Sequence, residues 1–448
     1  MIGIAQVLLF VIAMGGRPEK PGATARTCIF AYFSYDQATV EYIAEHFELV
    51  VAHDNKRKWN PVFRDPGKVK WRRARPLLLV YKDCLTLIGP GNPWGMSGDS
   101  TAGGGASVGG YWHFDSLFRG LGYRADTQFL MASDGSRYKD GDHRIQAGSP
   151  AQWPYRWVMD FGKEYWTRFY ACSSKVQCLR NYATSRYDDT FFDGVFIDNI
   201  LHFNWLYGIY PQRYRDPDDP ARGDRALRDA VHTFLRKTVS EYHNPLTPAG
   251  KGRAIMAVGN TNMAWMVEGL WEKYLDLLDG GMEETYFADT ALAVQEWVDV
   301  IEEIEYCEAM GKICLVHKAL QSTAASERYP FSVTWFDTAQ MMYGFTSYLM
   351  AADSMSYFSF GGDYQHIFWA PVLDIVLGAP AGNRELTSDS LFFRYFEEGL
   401  VYCNPTRTSR FITVPDEKYY VISASGDSVA RNSLLLAPHH GVIFKRRK

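Results

Sequence analysis

Short apolar runs alternate along the chain with segments whose apolar residues recur at helical spacing. Continuous apolar runs separated by helical segments are typical of parallel strands that helices cover. The pattern predicts eight such strands, at residues 28–34, 49–53, 76–82, 194–198, 254–259, 281–286, 313–317 and 356–360. Eight strand–helix repeats favour closure into a (β/α)8 TIM barrel, of class α/β, over an open sheet.

Two of the intervening helices are clear from their spacing alone. One apolar stripe runs over residues 227–239, and a second runs over residues 294–304. In the second helix the spacing predicts that Glu303 faces away from the stripe, and Gly311 follows as the predicted C-cap.

The pattern changes near the end of the chain to short strands and turns. Five strands are predicted there, at residues 400–404, 410–414, 419–424, 434–436 and 441–444. The chain therefore divides into three predicted parts. Residues 1–26 form a signal peptide or a disordered tail, residues 27–398 a TIM-barrel catalytic domain, and residues 399–448 a small antiparallel β cap.

Length and charge narrow the classes of function. The chain has 448 residues, and one (β/α)8 barrel takes roughly 250 or more with insertions, so one large domain with an appendage fits best. The net charge of −4 gives no electrostatic footprint for nucleic acid, which we exclude as a partner. Aromatic residues make up 15% of the chain, which is compatible with a ring-rich core and with a cleft where sugar rings stack.

The N-terminal apolar run, residues 2–14, is too short for a comfortable membrane span. It resembles the apolar region of a secretory signal, and Ala23-Thr24-Ala25 offers a cleavage site, although no Lys or Arg precedes the run. We expect a secreted or periplasmic monomer without stable membrane insertion. The seven cysteines include no C-x-x-C pair, and Cys172 and Cys178, in a stretch that reads as a loop, are compatible with a local disulfide or with buried thiols.

Polar residues follow most of the predicted strands. Functional groups of TIM barrels lie at the carboxyl ends of the strands, so these residues are predicted to share a substrate-binding cleft, although helix caps and solvated loops explain some of them as well. The predicted substrate-binding residues at strand ends are Asp36, His53, Asp83, Asn199, Asn260, Glu283 and His317. The Gly- and Ser-rich residues 89–110 predict a mobile loop over this face, with Trp94 and Trp112 beside it to stack on sugar rings.

Two carboxylates stand out because their surroundings repeat. Asp193 precedes Asp198 by five residues, and Asp279 precedes Glu284 by five, each time with glycine after the first aspartate. Hydrolysis of a glycosidic bond needs one carboxylic acid to protonate the leaving oxygen and one carboxylate to attack or to activate water. We therefore predict Asp198 and Glu284 as the catalytic pair, with Asp198 ionised and Glu284 carrying the proton. No cofactor and no metal is expected.

The segment Asp193-Gly194-Val195-Phe196-Ile197-Asp198-Asn199 resembles the fourth-strand motif of hypothetical glycosyl hydrolases with barrel folds, related to the endo-polygalactosaminidase type. Residues 279–284, 374–380 and 401–406 resemble three further motifs of that group, in the same order. The resemblance implies a TIM barrel with a fourth-strand Asp and a sixth-strand Glu as the catalytic pair, which map onto Asp198 and Glu284. The adjacent Glu283 leaves the second assignment open, and the sugar is not identified.

Two other classes of function stay open at this point. A non-catalytic barrel that only binds carbohydrate would keep the same fold, because fold does not imply chemistry. A metal-dependent barrel hydrolase would recruit ligands such as His53, Asp83, His232 and His317, although neither an H-x-H after the first strand nor an H-E-x-x-H motif occurs.

Overall fold

The computed structural model of this protein describes residues 24–31, 37–52, 76–88, 125–131, 135–137, 156–181, 186–187, 192–200, 202–203, 214, 220–246, 253–284, 286, 292–319, 337–361, 367–414, 419–431 and 433–447. Several predicted features lie outside these residues. They are the N-terminal apolar run, the Gly- and Ser-rich loop, Asp36, His53, Trp94 and Trp112.

Eight parallel strands form a nearly closed barrel. In chain order they are β1 (Cys28–Ala31), β2 (Leu49–Ala52), β3 (Leu77–Asp83), β4 (Gly194–Asp198), β5 (Met256–Asn260), β6 (Gly280–Glu283), β7 (Ile313–Ala319) and β8 (Ser356–Gly361). Their order in the sheet is their order in the chain, and a parallel bridge between Thr27 and Phe358 links the two edges. Each strand overlaps its predicted counterpart, so the predicted TIM barrel is confirmed.

Six α-helices accompany these strands in the described part of the chain. They are α1 (Gln37–His46), α2 (Glu164–Leu179), α3 (Pro220–His243), α4 (Leu270–Leu275), α5 (Val294–Met310) and α6 (Thr338–Leu349). The apolar stripe of α3 is buried, and α5 ends at Gly311 in the left-handed region, as predicted. Glu303 differs from the prediction, because its side chain is only 4% exposed. It lies between Val300 and Cys307 on the buried stripe of α5, at the i+3 and i+4 spacing that brings side chains onto one face.

Of the two alternatives left open for Cys172 and Cys178, the structure shows free thiols. Cys172 and Cys178 lie six residues apart on helix α2, and neither forms a disulfide. Six residues of α-helix rise about 9 Å, which exceeds the Cα separation that a disulfide spans. The expectation of a loop was wrong here, because Trp166 and Tyr170 anchor this helix by hydrogen bonds to the carbonyl oxygens of Cys84 and Lys82.

A separate antiparallel sheet occupies the C-terminal region. Its strands are β9 (Glu385–Leu386), β10 (Phe392–Phe396), β11 (Gly399–Asn404), β13 (Tyr419–Ile422), β14 (Ser428–Ala430) and β16 (His440–Arg446), and β12 (Arg410–Thr413) pairs with β15 (Ser433–Leu436) beside it. The sheet begins ahead of residue 399, because β9 and β10 belong to it. Helix α6 packs against β16 so closely that a Cβ at Gly441 would overlap Thr346.

The chain separates into two compact units. The central unit comprises Val51–Arg64 and Leu78–Asp279, and it contains strand β4. The terminal unit comprises Met1–Val50, Asp65–Leu77 and Gly280–Lys448, and it contains strands β6, β7 and β8 and the antiparallel sheet. In the described part of the chain, no helix is long and apolar enough to cross a membrane.

Candidate active site

Asp198 is the last residue of β4, and both of its carboxylate oxygens are hydrogen-bonded. Oδ1 accepts from the side-chain amide of Asn260, 2.8 Å away at the end of β5, and Oδ2 accepts from the hydroxyl of Tyr81 on β3. Tyr81 stacks on Phe196, which lies on the same face of the sheet as Asp198. Two donors on one half-buried carboxyl fix the orientation of both of its oxygens.

Two further polar residues adjoin Asp198. Asp83 is buried in register with it at the end of β3, and its Oδ1 accepts from the backbone N–H of Leu85 at 2.9 Å. Asn199 follows Asp198 with a φ of 60°, in the left-handed region. Cys84 lies beside both carboxylates. Burial first, and then Asp83 and Asp198, raise the pKa of its thiol well above the usual value, so Cys84 stays protonated.

Asp193 explains how β4 is set against β3. Its backbone N–H donates to the carbonyl of Leu78, and its carboxylate accepts from the N–H of Leu78 at 2.9 Å. Gly194 comes next, and a Cβ there would lie 2.6 Å from the Cβ of Met256 on β5. Asp193 therefore fixes the start of β4. Gly194, which has no side chain, allows β5 to pack closely against β4.

Asp279 and Gly280 repeat this arrangement before β6. The N–H of Asp279 donates to the carbonyl of Ala257, and its Oδ2 accepts from the N–H of Ala257 at 2.8 Å. The same oxygen lies 2.8 Å from Nε2 of His243. A Cβ at Gly280 would lie 2.6 Å from the Cβ of Ile313. The parallel between the two segments, which the sequence suggested, is therefore structural.

The two glutamates after Met282 differ in burial and in their place relative to the strand. Glu283 is only 2% exposed and pairs in register with Val316. Cys314, two residues before Val316, hydrogen-bonds to Cys307 of α5, so this face is covered by the helices. Glu284 follows directly after the end of β6, at a turn, and is half-buried.

His317 occupies the inner face of β7. Its Nδ1 lies 2.8 Å from the hydroxyl of Ser359 on β8, and Phe30 of β1 contacts it edge-on, with ring centroids 5.8 Å apart. The side chain is 6% exposed, and burial lowers its pKa from 6.5 to about 4. His317 is therefore an uncharged imidazole at neutral pH.

The described residues thus fall into two groups, one in each unit. Asp198, Asn199, Asn260 and Asp83 lie together at strand ends of the central unit. His317 lies on the inner face of the terminal unit, Glu284 lies at the turn after β6, and Glu283 faces the helices. Tyr81 was not among the predicted site residues, although its alternation with Asp83 on one strand could have identified it. Among the described residues, no group of three or more His, Cys, Asp or Glu could hold a metal ion.

Comparison with solved structures gives matches at low identity and low TM-score. An α-amylase from Malbranchea cinnamomea is 9% identical, with 94% of this chain and 96% of that chain covered and a TM-score of 0.42. A GH36 α-galactosidase from Geobacillus stearothermophilus is 8% identical, with coverages of 94% and 56% and a TM-score of 0.40. Endo-glycoceramidase II from Rhodococcus sp. is 9% identical, with coverages of 96% and 100% and a TM-score of 0.36. At these TM-scores the similarities carry no argument about this chain.

Comparison of sequences is more informative at the level of the family. No curated protein matches the chain significantly. The profile of hypothetical glycosyl hydrolase family 15 matches residues 130–400, a stretch that contains β4 to β8 with Asp198 and Glu284. Because this match covers more than half of the residues, the chain belongs to hypothetical glycosyl hydrolase family 15.

Proposed function

We propose that this protein hydrolyses glycosidic bonds of a poly- or oligosaccharide with Asp198 and Glu284 as its two carboxylates. The observation that carries the proposal is the arrangement around Asp198, whose two oxygens accept from Tyr81 and Asn260 at the carboxyl ends of barrel strands. Functional groups of TIM barrels lie at these ends. Membership of a glycosyl hydrolase family supports the same class of reaction.

In the proposed reaction Asp198 acts as the carboxylate. As a carboxylate it either attacks the anomeric carbon or takes a proton from the attacking water. Tyr81 and Asn260 orient both oxygens, so little reorganisation is needed when the charge on the sugar develops.

Glu284 is the proposed acid that protonates the leaving oxygen. Strand alternation, carried one residue past Glu283, favours an inner-face position for Glu284, whereas Glu283 is buried and faces the helices. The segment before Glu284 repeats the one before Asp198, down to the aspartate that fixes the start of the strand. This repetition supports similar placement of the two carboxyl groups at the ends of their own strands.

The test uses three variants on a glycan that the parent protein cleaves, identified on a panel of poly- and oligosaccharides. Asp198→Asn and Glu284→Gln should each remove nearly all turnover while the circular dichroism spectrum and Tm stay close to those of the parent. Glu283→Gln is the matched control and should retain much of the activity. Full activity of the Asp198 variant would refute the two-carboxylate mechanism, and an inactive Glu283 variant beside an active Glu284 variant would reverse the assignment of the acid.

We also propose that the protein acts outside the cytoplasm, on the strength of the apolar run at residues 2–14 and the Ala23-Thr24-Ala25 site. Expression of the full chain in its own or a related host, followed by N-terminal sequencing of the mature protein, tests this. A mature chain that starts after Ala25 supports export, and an intact N-terminus on a protein confined to the cytoplasm contradicts it.

A further inference from the structure

The end of β3 contacts Asp198 through both its side chain and its backbone. The hydroxyl of Tyr81 donates to Oδ2 of Asp198, and the backbone N–H of Cys84 donates to the main-chain carbonyl of Asp198 at 3.0 Å. Asp83 lies between these two donors along the chain and pairs in register with Asp198. One short segment, residues 81–84, therefore holds the proposed catalytic carboxylate at its side chain and at its main chain.

The carboxylate of Asp83 sets the path of the backbone at the end of this segment. Its Oδ1 accepts from the backbone N–H of Leu85, two residues further along the chain, at 2.9 Å. An aspartate that accepts from the backbone two residues ahead forms an Asx-turn, which fixes the direction of the chain at that point. The turn encloses Cys84, whose N–H is the donor to Asp198. The Asp83 carboxylate thus orients the peptide group that holds the main chain of Asp198.

Other hydrogen bonds anchor the same turn at its main-chain oxygens. Nε1 of Trp166, a fully buried residue of α2, donates to the carbonyl of Cys84 at 3.1 Å. The N–H of Met159 donates to the carbonyl of Leu85 at 2.8 Å. Because these bonds do not involve the Asp83 side chain, a substitution of Asp83 removes one defined bond from a turn that other contacts still hold.

Burial separates the roles of the two neighbouring aspartates. Asp198 is half-buried, whereas Asp83 is only 1% exposed, so a bound sugar has access to Asp198 and not to the Asp83 carboxylate. We propose that Asp83 is a positioning residue of the reaction, whose Asx-turn holds the end of β3 against Asp198 and so sets the orientation in which that carboxylate meets the sugar. The inference rests on the proposed function of Asp198.

The first test needs no substrate and compares two buried aspartates. Asp160 is the matched control, because its Oδ1 accepts from the N–H of Gly162 in the same kind of turn, at 2.8 Å, in the same unit. Hydrogen exchange of the full chain, followed on peptides, should be faster at residues 84–85 in Asp83→Ala than in the parent. Asp160→Ala should leave the exchange at these residues unchanged. Equal exchange in Asp83→Ala and the parent, or equally fast exchange in both variants, would overturn the proposal.

The second test measures kcat and KM on a glycan that the parent cleaves. Asp83→Ala should lower kcat about tenfold or more and change KM less than about twofold, because a misplaced catalytic group slows the chemical step. Asp83→Asn keeps an oxygen that can accept from Leu85 and should retain kcat within about threefold of the parent. Asp160→Ala should retain kcat as well. If Asp83→Ala does not fold, Asp83→Ser takes its place, because a serine hydroxyl forms the same turn more weakly.

The outcomes separate this inference from the proposed function. If Asp83→Asn lost as much kcat as Asp83→Ala, the negative charge rather than the turn would matter, and the positioning role would be overturned. A parent-like kcat in Asp83→Ala would overturn it too. Both results are read beside an inactive Asp198→Asn variant. An active Asp198→Asn variant would instead refute the proposed function itself, and this inference with it.

Discussion

At the scale of single residues, Asp198 depends on side chains that do not adjoin it in the sequence. Tyr81 lies on β3 and Asn260 on β5, and each donates to one oxygen of the carboxylate. Hydrogen bonds to charged groups are worth about 1.5–3 kcal/mol each, so each donor matters to the reaction and to the geometry of the site.

Removing the hydroxyl of Tyr81 should therefore slow the reaction without unfolding the protein. Tyr81→Phe keeps the ring that stacks on Phe196, and we expect kcat to fall about tenfold to a hundredfold, since one charged hydrogen bond is lost. Steady-state kinetics and a Tm within a few degrees of the parent check this. Tyr395→Phe, a change at an exposed tyrosine of the C-terminal sheet, is the control. Equal kcat in both variants would contradict the prediction.

Asn199 carries a backbone conformation that few residues adopt. Its φ of 60° is tolerated by asparagine and glycine but costs a β-branched residue about 1–2 kcal/mol. Asn199→Val should lower the free energy of unfolding by about that amount in urea titrations, whereas Asn199→Gly should change it little. A stable Val variant would indicate that the backbone relaxes here.

At the scale of elements, helix α5 is tied to the start of β8 by one carboxylate. Glu308 accepts hydrogen bonds from the backbone N–H groups of residues 353–356 and from the hydroxyl of Ser356, at 2.6–3.1 Å. The Glu308 carboxylate thus provides hydrogen-bond acceptors for four consecutive backbone N–H groups. This turn leads directly into the strand that contains Ser359.

Replacing Glu308 should destabilise this junction. Glu308→Ala leaves several donors without their anion, and we expect a loss of about 2–3 kcal/mol in the free energy of unfolding. Glu302→Ala on the same helix removes only an exposed ion pair with Arg384, 3.5 Å long, and should cost less than about 1 kcal/mol. Urea denaturation of the two variants gives the comparison, and equal losses would show that the turn is held by other contacts.

At the scale of the whole molecule, burial disfavours the charged form of a histidine among the described residues of each compact unit. Burial lowers the pKa of His202 in the central unit and of His317 in the terminal unit, each from 6.5 to about 4. Between these values the unfolded chain binds more protons than the folded one. The stability that these two uncharged histidines contribute is therefore complete above about pH 6.5 and is lost as the pH falls toward 4.

Acid should consequently destabilise the protein through these two groups. At pH 5 each of the two histidines should lower the free energy of unfolding by about 2 kcal/mol relative to neutral pH. Free energies of unfolding measured at pH 7.5 and pH 5 test this in the parent and in His202→Gln. The variant should lose less stability on acidification, and an equal loss in both proteins would exclude His202 as a source.

Sequence patterns were sufficient to predict where the eight strands lie, because each strand is an apolar run that is buried on both sides and is bounded by turns or helices. The alternation of side chains along β4 also predicted that Asp198 lies on the same face as Phe196, because this alternation is a property of the strand itself. Helix α2 was not anticipated, because its buried residues include the polar Thr167, Ser174 and Lys175, which break the apolar pattern. Lys175 is buried there because its ammonium group donates to carbonyl oxygens at the end of α3, which no local pattern reveals.

The sequence by itself thus determined the class of fold, the strand that ends in Asp198 and the spacing that Glu284 shares with it. These depend on period and alternation, which are local. Only the tertiary structure decided which side chains meet. It paired Asp198 with Tyr81 and Asn260, turned Glu283 toward the helices and set His317 against Ser359. Those contacts join residues that are far apart in the chain, and they follow from the register and closure of the sheet.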